Sequence, residues 1–184
     1  MLDAASQRAI QAVVAPVLYP HRAALRVTRH DSLHVTLHFF GALTASRVDR
    51  CRALLTAALA GDSAVPLVFG AVGAFPTVTQ PRALFVSVMP SPELDALHAR
   101  LREVVAQVAP ETIEARPFQP HVTIARVRRG AEPRLPEGLL GLEVGATAVL
   151  TRVSLVETVT DVEGSHYVER EAWPLAAPRI ERTK

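Results

Sequence analysis

The sequence is poor in several residue types, and each shortage limits what the protein can be. Cys51 is the only cysteine, so one chain can form neither a disulfide framework nor a multi-cysteine metal site, which favours a reducing compartment. Lys184 is the only lysine, so arginine supplies the rest of the 20 basic residues. No apolar run reaches the roughly 18–20 residues of a membrane span. We therefore expect a soluble, cytoplasmic protein that does not contact a membrane.

The bulk composition predicts one packed domain. The first residues, MLDAASQRAIQ, lack the basic segment of a signal peptide. A hydrophobic content of 49% and a mean hydropathy of +0.20 are sufficient for a folded interior. The formal charge of +2 says little about partners. We interpret residues 1–184 as a single two-lobed domain, and we expect a monomer without an obligate protein partner.

Periodicity predicts three helices among runs of strands. Helical spacing of apolar residues marks residues 3–17, residues 44–60 after a Thr44 N-cap, and residues 92–109 after a Ser91 N-cap. Alternating or apolar segments predict strands at 24–29, 33–41, 65–75, 82–90 and 121–127, two more within 142–161, and one at 165–175. Residues 128–140 form a predicted exposed loop. Strands that come in runs favour an α+β fold with antiparallel sheets over a parallel, doubly wound sheet.

Two segments repeat the pattern histidine, apolar residue, threonine, apolar residue. They are LHVTLHFFG at residues 33–41 and PHVTIARV at residues 120–127. Because side chains of a strand alternate between its faces, His34 and Thr36 share one face in the first copy, as do His121 and Thr123 in the second. Two unrelated histidines on strands remain the alternative interpretation of this repeat.

Two such histidines could act together on a phosphodiester. Imidazole titrates near pH 6.5, so one ring can activate water while the other protonates the departing oxygen, and no metal is needed. The threonine hydroxyls can donate hydrogen bonds to phosphoryl oxygens. A metal site built from His34 and His38 is disfavoured, because strand positions four apart span about 13 Å and no carboxylate cluster accompanies them.

These segments resemble the paired HxTx signatures, here residues 34–37 and 121–124, of the 2H phosphoesterases. The most similar group is the bacterial RNA 2',3'-cyclic phosphodiesterases, also called 2'-5' RNA ligases. Phe39-Phe40-Gly41, the Phe-x-Pro approach to His121 and the position of Arg126 also fit this group. The resemblance implies a bilobal α+β fold in which two antiparallel sheets, in duplicated lobes of βαβ type flanked by helices, surround a pseudo-twofold cleft with one motif in each lobe.

The resemblance also implies an activity and roles for residues. Such enzymes open a 2',3'-cyclic phosphate at an RNA end to a 2'-phosphomonoester without metal or cofactor, and some join 2'-5' linkages reversibly. By motif, His34 is the proton donor, His121 is the proton acceptor, and Thr36 and Thr123 hold the phosphate. Arg126 contacts the phosphate, provided that a strand end or a bulge turns it toward the face of His121.

One difference from the family and several further residues complete the prediction. Family members begin with a short apolar strand, whereas this chain starts in a helix, so we expect the first sheet to lack a strand. His38 and Phe40 are candidate substrate-binding residues, and Phe39 is expected in the core. Arg128 and Arg129 could meet RNA or lie in a solvated turn. Trp173 is expected to be buried, and the remaining histidines, at positions 21, 30, 98 and 166, receive no role.

Three other functions compete with an RNA-end phosphodiesterase. The substrate could be a small cyclic phosphate, such as a cyclic nucleotide or an ADP-ribose cyclic phosphate. The chain could be a non-catalytic RNA-binding module, although both His-Thr pairs are intact. A metal-dependent phosphatase is disfavoured by the missing ligands.

Overall fold

The computed structural model describes residues 1–131, 135–161 and 164–177. The predicted loop at 128–140 and the predicted hairpin turn near residue 163 therefore fall partly outside the described residues. The helices are α1 (Ala4–Leu18), α2 (Ala45–Ala58) and α3 (Pro92–Val108). The strands are β1 (Leu25–Val27), β2 (Val65–Pro76), β3 (Pro81–Val88), β4 (His121–Val127), β5 (Thr147–Leu150), β6 (Arg152–Asp161) and β7 (Gly164–Pro174).

Local capping explains where the helices begin. The Asp3 carboxylate accepts hydrogen bonds from the first backbone amides of α1, at 2.9 Å from both Ala5 and Ser6. The hydroxyls of Thr44 and Ser91 cap α2 and α3 in the same way. All three predicted helices are therefore confirmed to within a few residues at their ends.

The strands form two sheets, and the pairs β1-β4, β4-β3, β3-β2 and β6-β7 are antiparallel. The larger sheet has the order β1-β4-β3-β2-β5, and β6 pairs with β7 in the smaller one. This arrangement confirms the α+β class. The chain divides into two compact units: unit 1 contains Met1–Val35, Leu67–Met89 and Gln119–Ala148, and unit 2 contains Thr36–Pro66, Pro90–Phe118 and Val149–Lys184.

Unit 1 is built on the larger sheet. One face of β4 is apolar and buried, with Val122, Ile124 and Ala125 all 1% exposed or less. The buried residues of the neighbouring strands include Leu25 of β1 and Leu84 of β3. Residues on the other face of β4 are only half-buried or exposed. The larger sheet thus has a core face and a face that is open to ligands.

Unit 2 holds α2, α3 and the β6-β7 hairpin. The Trp173 indole is buried, as predicted, and donates a hydrogen bond to the Thr56 hydroxyl of α2 at 2.9 Å. Cys51 is buried in α2, and burial raises the pKa of its thiol to about 11, so the thiol stays uncharged at neutral pH. No helix in the described ranges is long and apolar enough to cross a membrane.

The predicted strand at residues 33–41 is wrong. This segment contains a single isolated bridge, from Val35 to Val122, and the rest has no strand partner. Without pairing, strict alternation does not govern which side chains are buried. Phe39, expected in the core, is accordingly 60% exposed.

Candidate active site

Strand β4 presents the second motif on the open face of the larger sheet. His121 and Thr123 are half-buried on this face, and Val122 between them is buried on the core face. The pairing to β3 places His121 opposite Ser87 and Thr123 opposite Phe85. The predicted alternation of the motif is therefore present in β4.

A bulge in β4 turns Arg126 to the face of His121. Between Thr123 and Ala125 the strand gains one residue relative to β3, whose Leu84 and Phe85 are consecutive. Such an extra residue shifts the alternation of side chains by one position. Ile124 and Ala125 are accordingly both buried, and Arg126 is exposed. The structure thus contains the bulge that was required for Arg126 to share a face with His121.

The first half of the first motif pairs with the larger sheet, through a bridge between Val35 and Val122. The antiparallel bridge sets Val35 opposite Val122, so the preceding residue, His34, lies on the Thr123 side. His34 and His121 both belong to unit 1. The boundary between the two units passes between Val35 and Thr36, within the first motif.

Matching hydrogen bonds hold the two imidazoles. Nδ1 of His34 is 2.7 Å from the carbonyl oxygen of Ser32, and Nδ1 of His121 is 2.8 Å from that of Gln119. A carbonyl can only accept, so each Nδ1 carries the proton of the neutral ring. The lone pair of each neutral imidazole is therefore on Nε2. Each ring can accept a proton there and, once charged, donate one.

The electrostatic surroundings of His34 favour its neutral form. Burial lowers the pKa of His34 below its usual value, which the hydrogen bond to the Ser32 carbonyl partly offsets. The positive charges of the chain's α-amino group, His121 and Arg126 lower the pKa further. Because their charges affect the pKa of His34, His121 and Arg126 are within electrostatic reach of this ring. A bound phosphate anion would oppose this effect and favour the imidazolium.

Two phenylalanines support the His121 ring from within unit 1. The rings of Phe75 and Phe85 stack with their centroids 4.1 Å apart. The imidazole of His121 meets both edgewise, at 5.0 Å from Phe75 and 5.4 Å from Phe85. Gly73 leaves room for the Phe85 ring, since a Cβ there would lie 2.5 Å from Cζ of Phe85. The sequence pattern did not indicate this support, because it depends on the pairing of β2 with β3.

The other predicted site residues of the first motif belong to unit 2. Thr36 is the first residue of that unit and is half-buried. His38 meets Phe40 edgewise at 6.0 Å and His98 at 6.4 Å. His98, for which no role was predicted, stacks on Phe118 with centroids 3.9 Å apart. His38 is thus part of an imidazole-aromatic cluster in unit 2.

The Nε2 atom of His38 is buried and has no hydrogen-bond partner among the described residues. Arg128, a candidate for RNA contact, donates instead to the backbone carbonyl of Arg22 at 3.2 Å, while Arg129 is exposed. Within the described ranges, no group of three or more histidine, cysteine, aspartate or glutamate residues could hold a metal.

A comparison with known families identifies the chain. The profile described as the 2'-5' RNA ligase superfamily matches residues 2–161. The chain belongs to the 2'-5' RNA ligase superfamily. The match includes both histidine motifs and the strand that carries Arg126. Superfamily membership confirms the resemblance noted in the sequence.

Two curated relatives are each named RNA 2',3'-cyclic phosphodiesterase. The protein of Geobacillus stearothermophilus is 28% identical over 134 residues, which are 70% of this chain and 42% of the relative. The protein of Bacillus subtilis (strain 168) is 27% identical over 99 residues, which are 54% of each chain. The chain spans about half the length of these relatives.

Solved structures share the fold of this chain. The protein TT0787 of Thermus thermophilus matches with a TM-score of 0.76 at 23% identity, over 94% of this chain and 91% of that one. Escherichia coli LigT, crystallised with 3'-AMP, matches with a TM-score of 0.72 at 22% identity, over 95% and 94%. At these identities the likeness shows the α+β fold alone.

Proposed function

We propose that this protein hydrolyses 2',3'-cyclic phosphate ends of RNA to 2'-phosphomonoesters. The observation that carries the proposal is the matched pair of imidazoles, His34 and His121, each held through Nδ1 and within electrostatic reach of the other. A displacement at phosphorus needs one proton removed from the incoming oxygen and one delivered to the departing oxygen. The names of the curated relatives support the same reaction.

In the proposed reaction, Nε2 of neutral His121 accepts a proton from water as the water oxygen attacks phosphorus. The bond between phosphorus and the 3' oxygen breaks, and the imidazolium of His34 protonates that oxygen. The product carries a 2'-phosphate and a free 3'-hydroxyl. His121 ends protonated and His34 neutral, and exchange with solvent restores both. No metal or nucleotide cofactor takes part in this scheme.

The remaining motif residues stabilise the charge of the transition state. The hydroxyl of Thr123, across from His34 on the open face, donates to a phosphoryl oxygen. Thr36 has the same role by its motif. Arg126 neutralises negative charge, since the bulge turns it to the same face. His38 and Phe40 are proposed to contact the nucleoside of the substrate.

The test is hydrolysis in the presence of EDTA. Substrates are cyclic nucleotides, an ADP-ribose cyclic phosphate and an oligoribonucleotide with a 2',3'-cyclic end. We expect a 2'-phosphate product, and His34→Asn or His121→Asn should each lower kcat/KM by about 10²-fold or more. The matched control is His30→Asn, which alters an exposed histidine of unit 1. The proposal fails if no substrate is hydrolysed or if hydrolysis survives both active-site substitutions.

Reversible 2'-5' ligation is a second candidate, favoured by the description of the matching superfamily. The same two histidines would serve if the 5'-hydroxyl of a second RNA replaced water as the attacking group. Incubating the cyclic-ended RNA with a 5'-hydroxyl RNA should then give a 2'-5' linkage that resists nucleases specific for 3'-5' bonds. Hydrolysis without any joined product would rule out ligation and leave the hydrolase proposal intact.

A further inference from the structure

A second arginine lies directly beside Arg126 on the open face of the larger sheet. The pairing of β1 with β4 makes Arg26 the Cα partner of Arg126. Directly opposed residues of an antiparallel pair point to the same face, with Cβ atoms about 4.5–5.5 Å apart. Arg26 therefore shares the face of His121 and Thr123. The sequence pattern did not single it out.

Two guanidinium groups in this position repel each other. Like charges directly opposite each other destabilise a strand pair. Both arginines are exposed, and in the part of the chain that the structure describes neither has a carboxylate within salt-bridge distance. Arg29, three residues after Arg26, does have such a partner, Asp31 at 2.8 Å. The charge of the Arg26 and Arg126 pair is thus left for an external anion.

The position of the pair suggests which anion it binds. His34 is level with Thr123 along β4, and Arg126 lies about two strand rises further on, or roughly 7 Å, once the bulge is counted. This spacing is comparable to that of successive phosphates along one RNA strand. A cyclic phosphate carries a single negative charge, whereas an RNA end brings a second phosphate at this distance.

We propose that Arg26 binds the phosphodiester one nucleotide 5' of the cyclic phosphate, whereas its neighbour Arg126 neutralises charge on the cyclic phosphate itself. Arg26 is then a specificity residue that favours RNA ends over cyclic mononucleotides. The inference rests on the proposed function, whose site it extends along the open face. Planar guanidinium groups suit this role because each can donate two parallel hydrogen bonds to phosphate oxygens.

The experiment compares two substrates that differ by one phosphodiester: adenosine 2',3'-cyclic phosphate and the dinucleotide ApA with a 2',3'-cyclic end. For Arg26→Gln we expect the ratio of kcat/KM for the dinucleotide to that for the mononucleotide to fall about tenfold. The salt dependence of kcat/KM for the dinucleotide should also weaken, by roughly one phosphate contact. Arg26→Lys should retain part of the preference.

Arg82→Gln is the matched control. Arg82 is an exposed arginine of β3, and it precedes Ala83, the partner of Arg126 on the open face, so it points to the opposite face. This substitution should leave the ratio unchanged. An unchanged ratio in Arg26→Gln, or an equal loss on both substrates, overturns the inference while the proposed function stands. Failure of the unmodified protein to hydrolyse either substrate overturns the proposed function itself.

Discussion

Arg126 and His121 lie on the same face of one strand although an odd number of positions separates them. In a regular strand they would point to opposite sides. The extra residue between Thr123 and Ala125 reverses the alternation, so that two buried residues follow each other and the arginine emerges among the polar side chains. Arg126 therefore lies on the face of His121, and its positive charge lowers the pKa of His34.

Arg126→Gln should move the pH profile of hydrolysis. Burial, and then nearby positive charges including that of Arg126, lower the pKa of His34. Removing the Arg126 charge raises this pKa. If His34 is the proton donor, its protonated form then persists to higher pH, and the alkaline limb of the kcat/KM profile shifts upward. The profile of kcat/KM reports the free enzyme, where this effect operates.

The same profile tests the roles of the two histidines. A shift of the acidic limb instead of the alkaline one would assign His34 as the proton acceptor and reverse the proposed roles. Arg129→Gln, which alters an exposed arginine after β4, should leave both limbs in place. At its optimum, Arg126→Gln should also lower kcat/KM by about tenfold or more, as expected when a hydrogen bond to a charged group is lost.

Nuclear magnetic resonance should find the same tautomer in His34 and His121. The Ser32 and Gln119 carbonyls can only accept, so in the neutral rings of His34 and His121 we expect Nδ1 to be protonated and Nε2 to carry the lone pair. Nitrogen-15 shifts of selectively labelled protein measure this directly. The exposed His30 serves as the reference ring. Protonated Nε2 in either active-site ring would contradict the proposed hydrogen bonds.

Gly73→Ala should lower both stability and activity. The new Cβ would lie 2.5 Å from Cζ of Phe85, a buried ring that supports His121. Displacing it should lower the free energy of unfolding by about 1–3 kcal/mol, as for other overpacked cores. Urea unfolding measures this loss, and kcat measures the effect on His121.

A second substitution tests whether the clash with the Phe85 ring causes the loss of stability in Gly73→Ala. Phe85→Leu removes the ring atoms that the new methyl group would meet, so the double variant should recover part of the stability lost in Gly73→Ala. Val68→Ala, at an exposed position of the same strand, should change the free energy of unfolding by less than about 0.5 kcal/mol. No recovery in the double variant would mean that Phe85 does not cause the loss.

Stability should fall as the pH is lowered below about 6.5, the usual pKa of histidine. Burial, and then the charges of His98 and Arg102, lower the pKa of His38, while Glu114 raises it. Burial and Arg102 lower the pKa of His98, while Asp95 raises it. A depressed pKa in the folded state means that the unfolded state binds protons first. The stabilisation that these two neutral rings contribute is therefore complete above about pH 6.5. It is lost as the pH falls through the pKa values of the rings in the folded state.

The measurement is the urea midpoint between about pH 7.5 and 5, a range that brackets the usual histidine pKa. Replacing both rings by phenylalanine, His38→Phe with His98→Phe, keeps aromatic contacts with Phe118 and should reduce the fall in midpoint. Part of the fall should remain because the pKa of His34 is also lowered. His30→Asn is the control and should leave the pH dependence unchanged. An undiminished fall in the double variant would show that the two rings do not cause it.

Features fixed by local interactions were predictable from the sequence. Asp3, Thr44 and Ser91 cap helices through hydrogen bonds to amides a few residues away, so the pattern of residues was sufficient. The paired motifs likewise singled out His34 and His121, whose rings make matching hydrogen bonds to backbone carbonyls in the structure. The requirement for a bulge at Arg126 followed from counting positions along β4.

Features that depend on which strands pair were not predictable. Arg26 acquires its significance only when β1 pairs with β4, and the support of His121 by Phe75 depends on the pairing of β2 with β3. The first motif shows the same dependence on pairing, because here the predicted strand does not form. Its alternating pattern is typical of a strand, yet only Val35 finds a partner, so the burial predicted for Phe39 is wrong.

The hydrogen bond that holds His121 also determines where β4 can begin. The Gln119 carbonyl accepts from the imidazole, whereas the next carbonyl, of Pro120, already accepts from the amide of Val88 at the end of β3. Proline has no amide proton to offer a neighbouring strand. The ladder with β3 thus ends at Pro120, and the Gln119 carbonyl accepts from the ring instead. If the Gln119 carbonyl were instead part of a longer strand, the His121 ring would lose the acceptor that orients it.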